Sequence, residues 1–321
     1  MSRSLKRLNE AFDRFLFDSC EPLMCSILRI VYAALLLVMV AMWMLEASVW
    51  FTDAGVLMAE SAQRINACHY WSLLFWLPST PTVVYSCLGI LWFQTLLLFL
   101  GCWSRFQAAS IFVWLASFQH RNMLICDGED TVFRLLIFFM VFMPLDHAWS
   151  LGRWLAGQPS NASRASAWAL RLVQIEITAI YFSTAWCKWQ GTTWREGTAL
   201  YYVARMEDVF GKFWLPESMF ETAWLVKSAT WGVLGAETLL PFLLWIPATR
   251  RWAILLGVGL HLSIEYSMHL FLFEWIMIVG LLSFAGGRFP ARAAERFRNH
   301  PAEVAFPRTQ LSRLVDDEPA C

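Results

Sequence analysis

Charged residues are scarce in this sequence. Asp, Glu, Lys and Arg make up 16% of the 321 residues, and the two signs balance at 25 residues each. A soluble domain carries about 25% charged residues, so this composition argues against a soluble globular class. Since neither sign is in excess and no basic, aromatic-rich surface is visible, we predict no nucleic-acid partner.

Motifs for several kinds of chemistry are also absent. The eight cysteines include no C-x-x-C spacing, which argues against a zinc ribbon. The sequence contains no nucleophile elbow, phosphate-binding loop or H-E-x-x-H pattern. No internal repeat is visible, and this weakens the case for a secondary transporter built on duplicated halves. The amino terminus has no small-residue cleavage site, so we expect it to stay attached.

Apolar and aromatic residues are abundant instead. The sequence is 58% hydrophobic and contains 19 tryptophans and 25 phenylalanines. This pattern predicts an all-α fold, a polytopic helical membrane protein with about eight transmembrane helices that lie in the lipid bilayer. We expect the spans at residues 23–45, 82–101, 105–118, 132–145, 168–189, 228–246, 252–269 and 270–285.

The chain divides into three predicted segments. Residues 1–22 form an amphipathic N-terminal segment, with a helix expected at residues 4–17. Residues 23–285 form the transmembrane domain, and residues 286–321 a cytoplasmic tail. A further surface helix is expected at residues 194–209, within a long loop.

The distribution of Lys and Arg tests the direction of these spans. With the amino terminus inside, the cytoplasmic segments hold 15 of these residues and the outer segments hold 7. Because cytoplasmic loops carry the excess of positive charge, we predict a multi-pass protein of the cell membrane with both termini cytoplasmic.

Two details of this topology concern single side chains. Arg29 lies inside the first span, where it could pair within the bundle or reach back to the cytoplasmic headgroups. We expect the second arrangement, because long basic side chains commonly snorkel. Cys68 and Cys126 fall in loops on the same outer side, and the sequence leaves open whether they form a disulfide.

The fifth span carries a polar stripe. Gln174, Tyr181 and Lys188 are seven residues apart, and Arg171 and Thr178 lie near the same line. Residues at this spacing share one helix face, with a drift of about 20° per step. Such a face should turn toward protein or a water-filled cavity rather than lipid, so we interpret this helix as the wall of a site.

Lys188 is the sharpest candidate for chemistry. It lies at the end of the span between Trp186 and Trp189, where partial desolvation would make it a base or nucleophile near neutral pH. The alternative is a lysine that snorkels to the outer interface between two tryptophans. Position alone does not decide between them.

The seventh span carries His261, Glu265 and His269, spaced by four on one face. Together with Glu237 and Glu274 from neighbouring helices, they could form a proton relay or a cavity wall, or simply a paired polar seam that fixes packing. The two histidines are about 12 Å apart along the helix, so we predict no metal site.

Residues 119–134 concentrate polar groups at the outer boundary of the membrane. Asn122 and its neighbours could order the head group of a substrate. The alternative is a satisfied loop that caps the fourth span, with Asp130 as N-cap and Arg134 one turn later.

These residues together resemble a known family. The segments concerned are Ile180-Tyr181-Phe182, Lys188, Trp194-Arg195-Glu196-Gly197, Tyr201-Tyr202, Asn122 ahead of Phe138 and Phe142, His147-Ala148-Trp149-Ser150 and the His261 helix. In order and spacing they resemble the membrane domain of the vitamin K-dependent gamma-glutamyl carboxylase. The broader family is that of the bacterial HTTM-domain proteins (horizontally transferred transmembrane domain), and the resemblance covers residues 20–285.

The resemblance implies a specific chemistry. Lys188 would be the base that deprotonates a reduced quinone, a vitamin K-like hydroquinone, so that a glutamate loses a proton from its gamma carbon and takes up carbon dioxide. The residues expected to bind substrate are Asn122, Gln174, Tyr181, Trp194, Tyr201, Glu237, His261 and Glu265.

Two departures from the carboxylase pattern keep an alternative open. Cys187 precedes Lys188 where that family has a second lysine, and the sequence lacks the large extramembrane portion that helps to hold the protein substrate. The first hypothesis is a membrane enzyme that modifies a secreted or membrane peptide. The second is a non-enzymatic membrane factor for the export or maturation of a peptide or partner protein.

Overall fold

The described part of the chain folds mainly into helices. A computed structural model describes residues 3–20, 22–65, 70–158, 165–216 and 218–286. Its α-helices among these residues are α1 (Arg3–Phe17), α2 (Pro22–Leu45), α3 (Ala47–Trp50), α4 (Ala59–Ile65), α5 (Pro81–Leu100), α6 (Ser104–Arg121), α7 (Gly128–Met140), α8 (Leu151–Leu155), α9 (Trp168–Gln190), α10 (Thr192–Glu196), α11 (Ala199–Val203), α12 (Ser218–Glu221), α13 (Ala223–Leu243), α14 (Arg250–Ser267) and α15 (Phe273–Leu282).

Strand pairing in the described residues is confined to one pair of short strands and one isolated bridge, between Phe210 and Met268. Strands β1 (Ser19–Cys20) and β2 (Ala165–Ser166) pair antiparallel and join the end of α1 to the start of α9. Three 3-10 turns, at Leu73–Phe75, Met123–Ile125 and Ser283–Ala285, complete the regular structure. The all-α expectation is therefore confirmed.

Two of the described helices are long and apolar enough to cross a membrane by length and composition, namely Leu23–Leu45 and Pro81–Leu100. A shorter apolar helix covers Phe273–Ala285. Each of the other predicted spans overlaps a helix, but α7 has only 13 residues, and α6, α9, α13 and α14 carry polar side chains that lower their hydropathy. The number of eight spans stays a prediction.

The helices alternate in direction between two ends of one bundle. We call the end where α9 finishes the Lys188 end, and the end where α2 and α9 begin the Arg29 end. The central helix α15 contacts α2, α7, α9 and α14, and α9 also packs along α13. Close approach depends on glycine, since a Cβ built on Gly280 would lie 2.2 Å from Cδ1 of Ile177.

The expected surface helix at residues 194–209 is wrong. The segment forms two short helices, α10 and α11, which Gly197 separates. Gly197 has φ of +77°, a left-handed conformation that ends a helix and that a residue with a Cβ adopts only with strain. The break lets α11 dock on α13, where the backbone N–H of Leu200 donates to Oγ1 of Thr230 over 3.3 Å.

The expectation that Arg29 snorkels is also wrong. Its side chain is fully buried and donates to the carbonyl oxygen of Leu145 over 2.8 Å and to that of Trp149. It also forms an ion pair with Asp146 over 3.4 Å. Arg29 therefore pins the segment after α7 to α2, and Gly101 leaves the room that the guanidinium occupies.

The turn before α7 is a satisfied cap, but Asp130 is not its N-cap. Asp127 is the N-cap residue, and Asp130 at the third helical position accepts a hydrogen bond from the Asp127 N–H over 2.9 Å. Arg134 donates to Oε1 of Gln119 over 2.7 Å. The thiol of Cys126 donates to the carbonyl of Gln119 over 3.3 Å; its suggested partner Cys68 lies outside the described residues.

Candidate functional site

Lys188 lies in the last turn of α9 and reaches across to α13. Its Nζ donates to Oε2 of Glu237, and the two side chains keep 23% and 8% of their surface exposed. The Trp194 ring lies above the amine, with its centroid 5.2 Å from Nζ. We call Lys188, Glu237 and Trp194 the lysine site. This placement differs from a lysine that extends to lipid headgroups, because its amine is paired inside the protein.

Local sequence explains why Trp194 returns to the lysine. Gly191 ends α9 in an extended conformation with ψ of 129°, and α10 starts at the next residue. A Cβ on Gly191 would lie 3.1 Å from Cδ1 of Trp194, so the turn is tight. Beside it, the indole N–H of Trp189 donates to Oγ1 of Thr238 over 3.0 Å, which holds α9 against α13 at this level.

A second group of side chains lies deeper in the bundle. Tyr181 is two helical turns before Lys188, about 10 Å along α9. Its hydroxyl lies 2.6 Å from Nε2 of His261, and Nδ1 of His261 is hydrogen-bonded to Oε2 of Glu274. All three residues are at most 4% exposed. We call Tyr181, His261 and Glu274 the buried triad.

One arrangement of protons satisfies the buried triad with a neutral imidazole. A carboxylate accepts hydrogen bonds only, so in this arrangement the histidine donates from Nδ1 to Glu274. The ring then accepts at Nε2, and the Tyr181 hydroxyl donates to it. This assignment satisfies every donor with the partner that the geometry supplies.

Gln174 lies on the polar stripe between Tyr181 and the Arg29 end. Its hydrogen bonds hold the structure together. Its Nε2 donates to the carbonyl of Ser283 over 2.7 Å, and its Oε1 accepts from Arg171 over 2.8 Å. One turn after Gln174 along α9, the indole N–H of Trp245 donates to Oγ1 of Thr178 over 3.0 Å. The stripe therefore faces protein along its length, and Gln174 joins α9 to the end of α15.

Glu265 does not join His261, although the two lie one turn apart on α14. It forms an ion pair with Lys212 from the loop after α11. The same loop pairs with the end of α14 through a bridge between Phe210 and Met268. His269 lies past this bridge, and its backbone N–H donates to the carbonyl of Val209 over 2.7 Å.

Asn122 and Tyr201 also have partners outside the lysine site. The Asn122 amide donates to the carbonyl of Trp50 over 2.9 Å, and its oxygen accepts from the Leu124 N–H over 3.2 Å. Tyr201 is 39% exposed and stacks under the guanidinium of Arg205, 3.5 Å from the ring centroid. Among the contacts of the described residues, neither side chain meets Lys188. Their roles in substrate binding stay predictions.

Sequence reasoning missed Glu129, in the first turn of α7. Burial raises the pKa of the Glu129 carboxyl to about 7, and the charges of Asp130, Asp127 and Glu274 act in the same direction. Gly128 places this turn against α15, since its Cβ would lie 3.0 Å from a ring carbon of Phe273. The only signal for Glu129 in the sequence was the run of acidic residues at 127–130. Such a run does not show how deeply each side chain is buried.

The lysine site suits an aromatic hydroquinone in the chemistry of its groups. It offers a flat indole ring, an amine and a carboxylate within one cluster. An aromatic ring can stack on Trp194, and its hydroxyl can donate to the amine or the carboxylate. The residues present therefore fit the cofactor class that the resemblance implies. A groove of about 620 Å³ between α5 and α6 lies elsewhere in the bundle.

Comparison with known proteins supplies the family. The model of the HTTM domain matches residues 17–286, most of the chain. No curated protein and no solved structure matches the chain. The chain therefore belongs to the HTTM-domain family of membrane proteins.

Proposed function

We propose that this chain is a membrane enzyme of the vitamin K-dependent carboxylase-like type, with Lys188 as the base toward a reduced quinone. The observation that carries the proposal is the position of the amine. It lies between the Glu237 carboxylate and the Trp194 ring, with three-quarters of the side chain covered. An ionisable side chain that is paired inside a membrane bundle is a candidate functional group by default.

Each residue of the lysine site has a stated part. A bound hydroquinone supplies an ionisable hydroxyl and reducing equivalents. Lys188, as the free amine, accepts the proton of that hydroxyl, and Glu237 holds the resulting ammonium as an ion pair. Trp194 orients the ring and keeps bulk water from the amine, which strengthens the ion pair.

The substrate in this proposal is a secreted or membrane peptide with a glutamate side chain, and carbon dioxide is added at its gamma carbon. The orientation belongs to the same proposal. Eight crossings with both termini cytoplasmic place the Lys188 end outside, where such a peptide arrives. The excess of Lys and Arg in the opposite loops supports this direction.

Ionisation of a naphthohydroquinone tests the role of Lys188. The protein is placed in lipid nanodiscs without oxygen, and the absorbance of the added naphthohydroquinone reports its ionised form. We expect ionisation at a pH where the free compound stays neutral, and its loss in Lys188→Met. Lys227→Met, at an exposed lysine of α13, is the matched control and should ionise the compound like the unaltered protein. Equal ionisation by Lys188→Met would end the proposal.

Mass spectrometry of a co-expressed peptide tests the rest of the reaction. The added mass of carbon dioxide on glutamate should appear with the unaltered protein and with Lys227→Met. It should be absent with Lys188→Met, although that variant inserts in the membrane. An unmodified peptide in every sample, despite normal ionisation of the quinol, would contradict the carboxylation step alone.

A non-enzymatic membrane factor is the second candidate, and one observation favours it. Large aromatic side chains are strongly exposed between α11 and the first turn of α13, with Trp214 81% and Trp224 67% exposed. Such residues either anchor a protein in lipid headgroups or bind a partner. This candidate predicts that maturation of the peptide survives Lys188→Met and is lost in Trp214→Ala or Trp224→Ala.

A further inference from the structure

The buried triad is a continuous chain of groups that can each gain and lose a proton. Tyr181 comes from α9, His261 from α14 and Glu274 from α15, and two hydrogen bonds connect them in line. A hydrogen-bonded chain of this kind can pass a proton from one end to the other by shifting each hydrogen along its bond.

Packing alone does not require these residue types. On the same helix, Gln174 fixes α9 to α15 with a neutral amide. A carboxylate in a membrane interior is costly, and such residues mark proton or ion pathways far more often than neutral ones do. The triad retains a carboxyl and an imidazole at 1% and 4% exposure, which points to proton chemistry.

Both ends of the chain approach other carboxyl groups. Tyr181 lies within electrostatic range of Glu237 from α13 as well as Glu274 from α15. The charge of Glu274 in turn acts on the Glu129 carboxyl of α7, as do the charges of Asp127 and Asp130.

The lysine site needs an exit for a proton after each ionisation. Once Lys188 has taken the proton of the quinol, Glu237 holds the ammonium, and the amine cannot act as a base again until that proton leaves. Trp194 lies over the same amine. A route that leaves through the interior would discharge the lysine without displacing the bound compound.

We infer that the Tyr181–His261–Glu274 triad carries protons from the Lys188–Glu237 pair to Glu129. Glu129 also lies at the Lys188 end, but on α7. Water bridges the first and last steps. The inference rests on the proposed function for its purpose.

The transfer balances at every group. Lys188 gives its proton to Glu237, and Tyr181 receives a proton from that side while it gives its own hydroxyl proton to Nε2 of His261. His261 gives the Nδ1 proton to Glu274, which passes a proton to Glu129 and then to water. Each group gains one proton and loses one, and no electron moves. His261 then returns to the Nδ1 tautomer before the next transfer.

The pKa of Glu129, the last group of the pathway, supports this route. A pKa of about 7 lets the Glu129 carboxyl take up and release a proton near neutral pH, as the last group of a pathway must.

Proton release in nanodiscs tests the inference. Naphthohydroquinone is mixed with the protein without oxygen, and two signals are followed in time, the ionised quinol by absorbance and the released proton by a pH indicator. We expect Glu274→Gln to keep a single ionisation at Lys188. The release of protons to bulk water should slow on the order of 100-fold in both Tyr181→Phe and Glu274→Gln. Glu176→Gln, the matched carboxyl-to-amide change on α9, should keep both signals.

Rescue separates a pathway from a structural role. Proton release by Glu129→Gln should slow by a similar factor and recover when a small weak acid is added, because that acid can replace an exit carboxyl. Release at the normal rate in Tyr181→Phe or Glu274→Gln, or a slow Glu129→Gln that no weak acid restores, would overturn the inference.

Failure of the proposed function gives a different result. If the unaltered protein never ionises the quinol, the triad is still tested by the rate at which ¹⁵N-labelled His261 exchanges its ring proton with water. That exchange should slow in Glu129→Gln and Glu274→Gln and stay unchanged in Glu176→Gln. Unchanged exchange in all three variants would overturn the inference by itself.

Discussion

Gly280 of α15 faces Ile177 of α9 so closely that a methyl group on Gly280 would lie 2.2 Å from Cδ1 and 2.8 Å from Cγ1 of the isoleucine. Ile177 is fully buried. This contact sets the distance between the helix that carries Lys188 and the helix that carries Glu274.

Gly280→Ala should therefore destabilise the protein. Overpacking of a filled core costs about 1–3 kcal/mol, which exceeds the gain of about 1 kcal/mol that alanine brings to a helix. Thermal unfolding in nanodiscs measures the change. Gly259→Ala on α14, where nothing lies within 4 Å of the added Cβ, should be neutral or stabilising. Adding Ile177→Ala should recover part of the loss, and a Gly280→Ala protein as stable as the original would contradict the close contact.

Replacement of Arg29 should be far more costly than replacement of an exposed arginine. Arg29→Met removes a buried donor from the Leu145 and Trp149 carbonyls and the cation that pairs with the Asp146 carboxylate, at a cost of about 3–5 kcal/mol. Arg64→Met removes an exposed i,i+4 pair with Glu60 and should cost at most about 1 kcal/mol. Comparison of the two unfolding midpoints checks this prediction, and equal losses would disprove it.

Glu129 should make stability depend on pH. Its folded pKa of about 7 lies above the ordinary value of 4.5, so the folded state binds the proton more tightly than the unfolded state. Stability is then highest below about pH 4.5, falls as the pH rises through about 7 and stays reduced above it. Glu129→Gln should remove this slope and gain about 1–2 kcal/mol at about pH 8.

Unfolding midpoints between about pH 5 and about pH 8 measure that slope. Glu60→Gln, at an exposed glutamate of α4, is the matched control and should leave it unchanged. If the slope is the same in Glu129→Gln as in the unaltered protein, the burial of Glu129 is refuted.

Trp194 should contribute to quinol binding through its ring. Trp194→Leu removes a stacking surface worth about 0.5–1.5 kcal/mol and should weaken naphthohydroquinone binding about 3- to 10-fold. Trp194→Phe should keep most of the affinity. The dissociation constant in nanodiscs measures both, with Trp224→Leu as an exposed control. Equal binding by the Leu and Phe variants would remove Trp194 from the site.

The polar stripe of α9 shows what sequence can predict. Helical spacing indicated that Gln174, Tyr181 and Lys188 share a face that turns toward protein, and Gln174 and Tyr181 are indeed buried. The spacing could not reveal that the three side chains meet three different elements, at Ser283, His261 and Glu237. Those partners are 49 to 109 residues away, and their distance depends on the packing of whole helices.

The failures have local causes. His261 and Glu265 share a helix face, but α14 continues past the buried triad, so Glu265 meets Lys212 of a loop instead. Arg29 stays buried because carbonyls more than 110 residues away supply its acceptors. The expected helix at residues 194–209 ignored Gly197, whose positive φ ends a helix.

The bridge between Phe210 and Met268 makes the loop after α11 and the end of α14 one mechanical unit. The Gly211 N–H donates to the carbonyl of Ser267 over 2.9 Å, and the Lys212–Glu265 ion pair reinforces the joint. A displacement of this loop would therefore act directly on α14, the helix that holds His261.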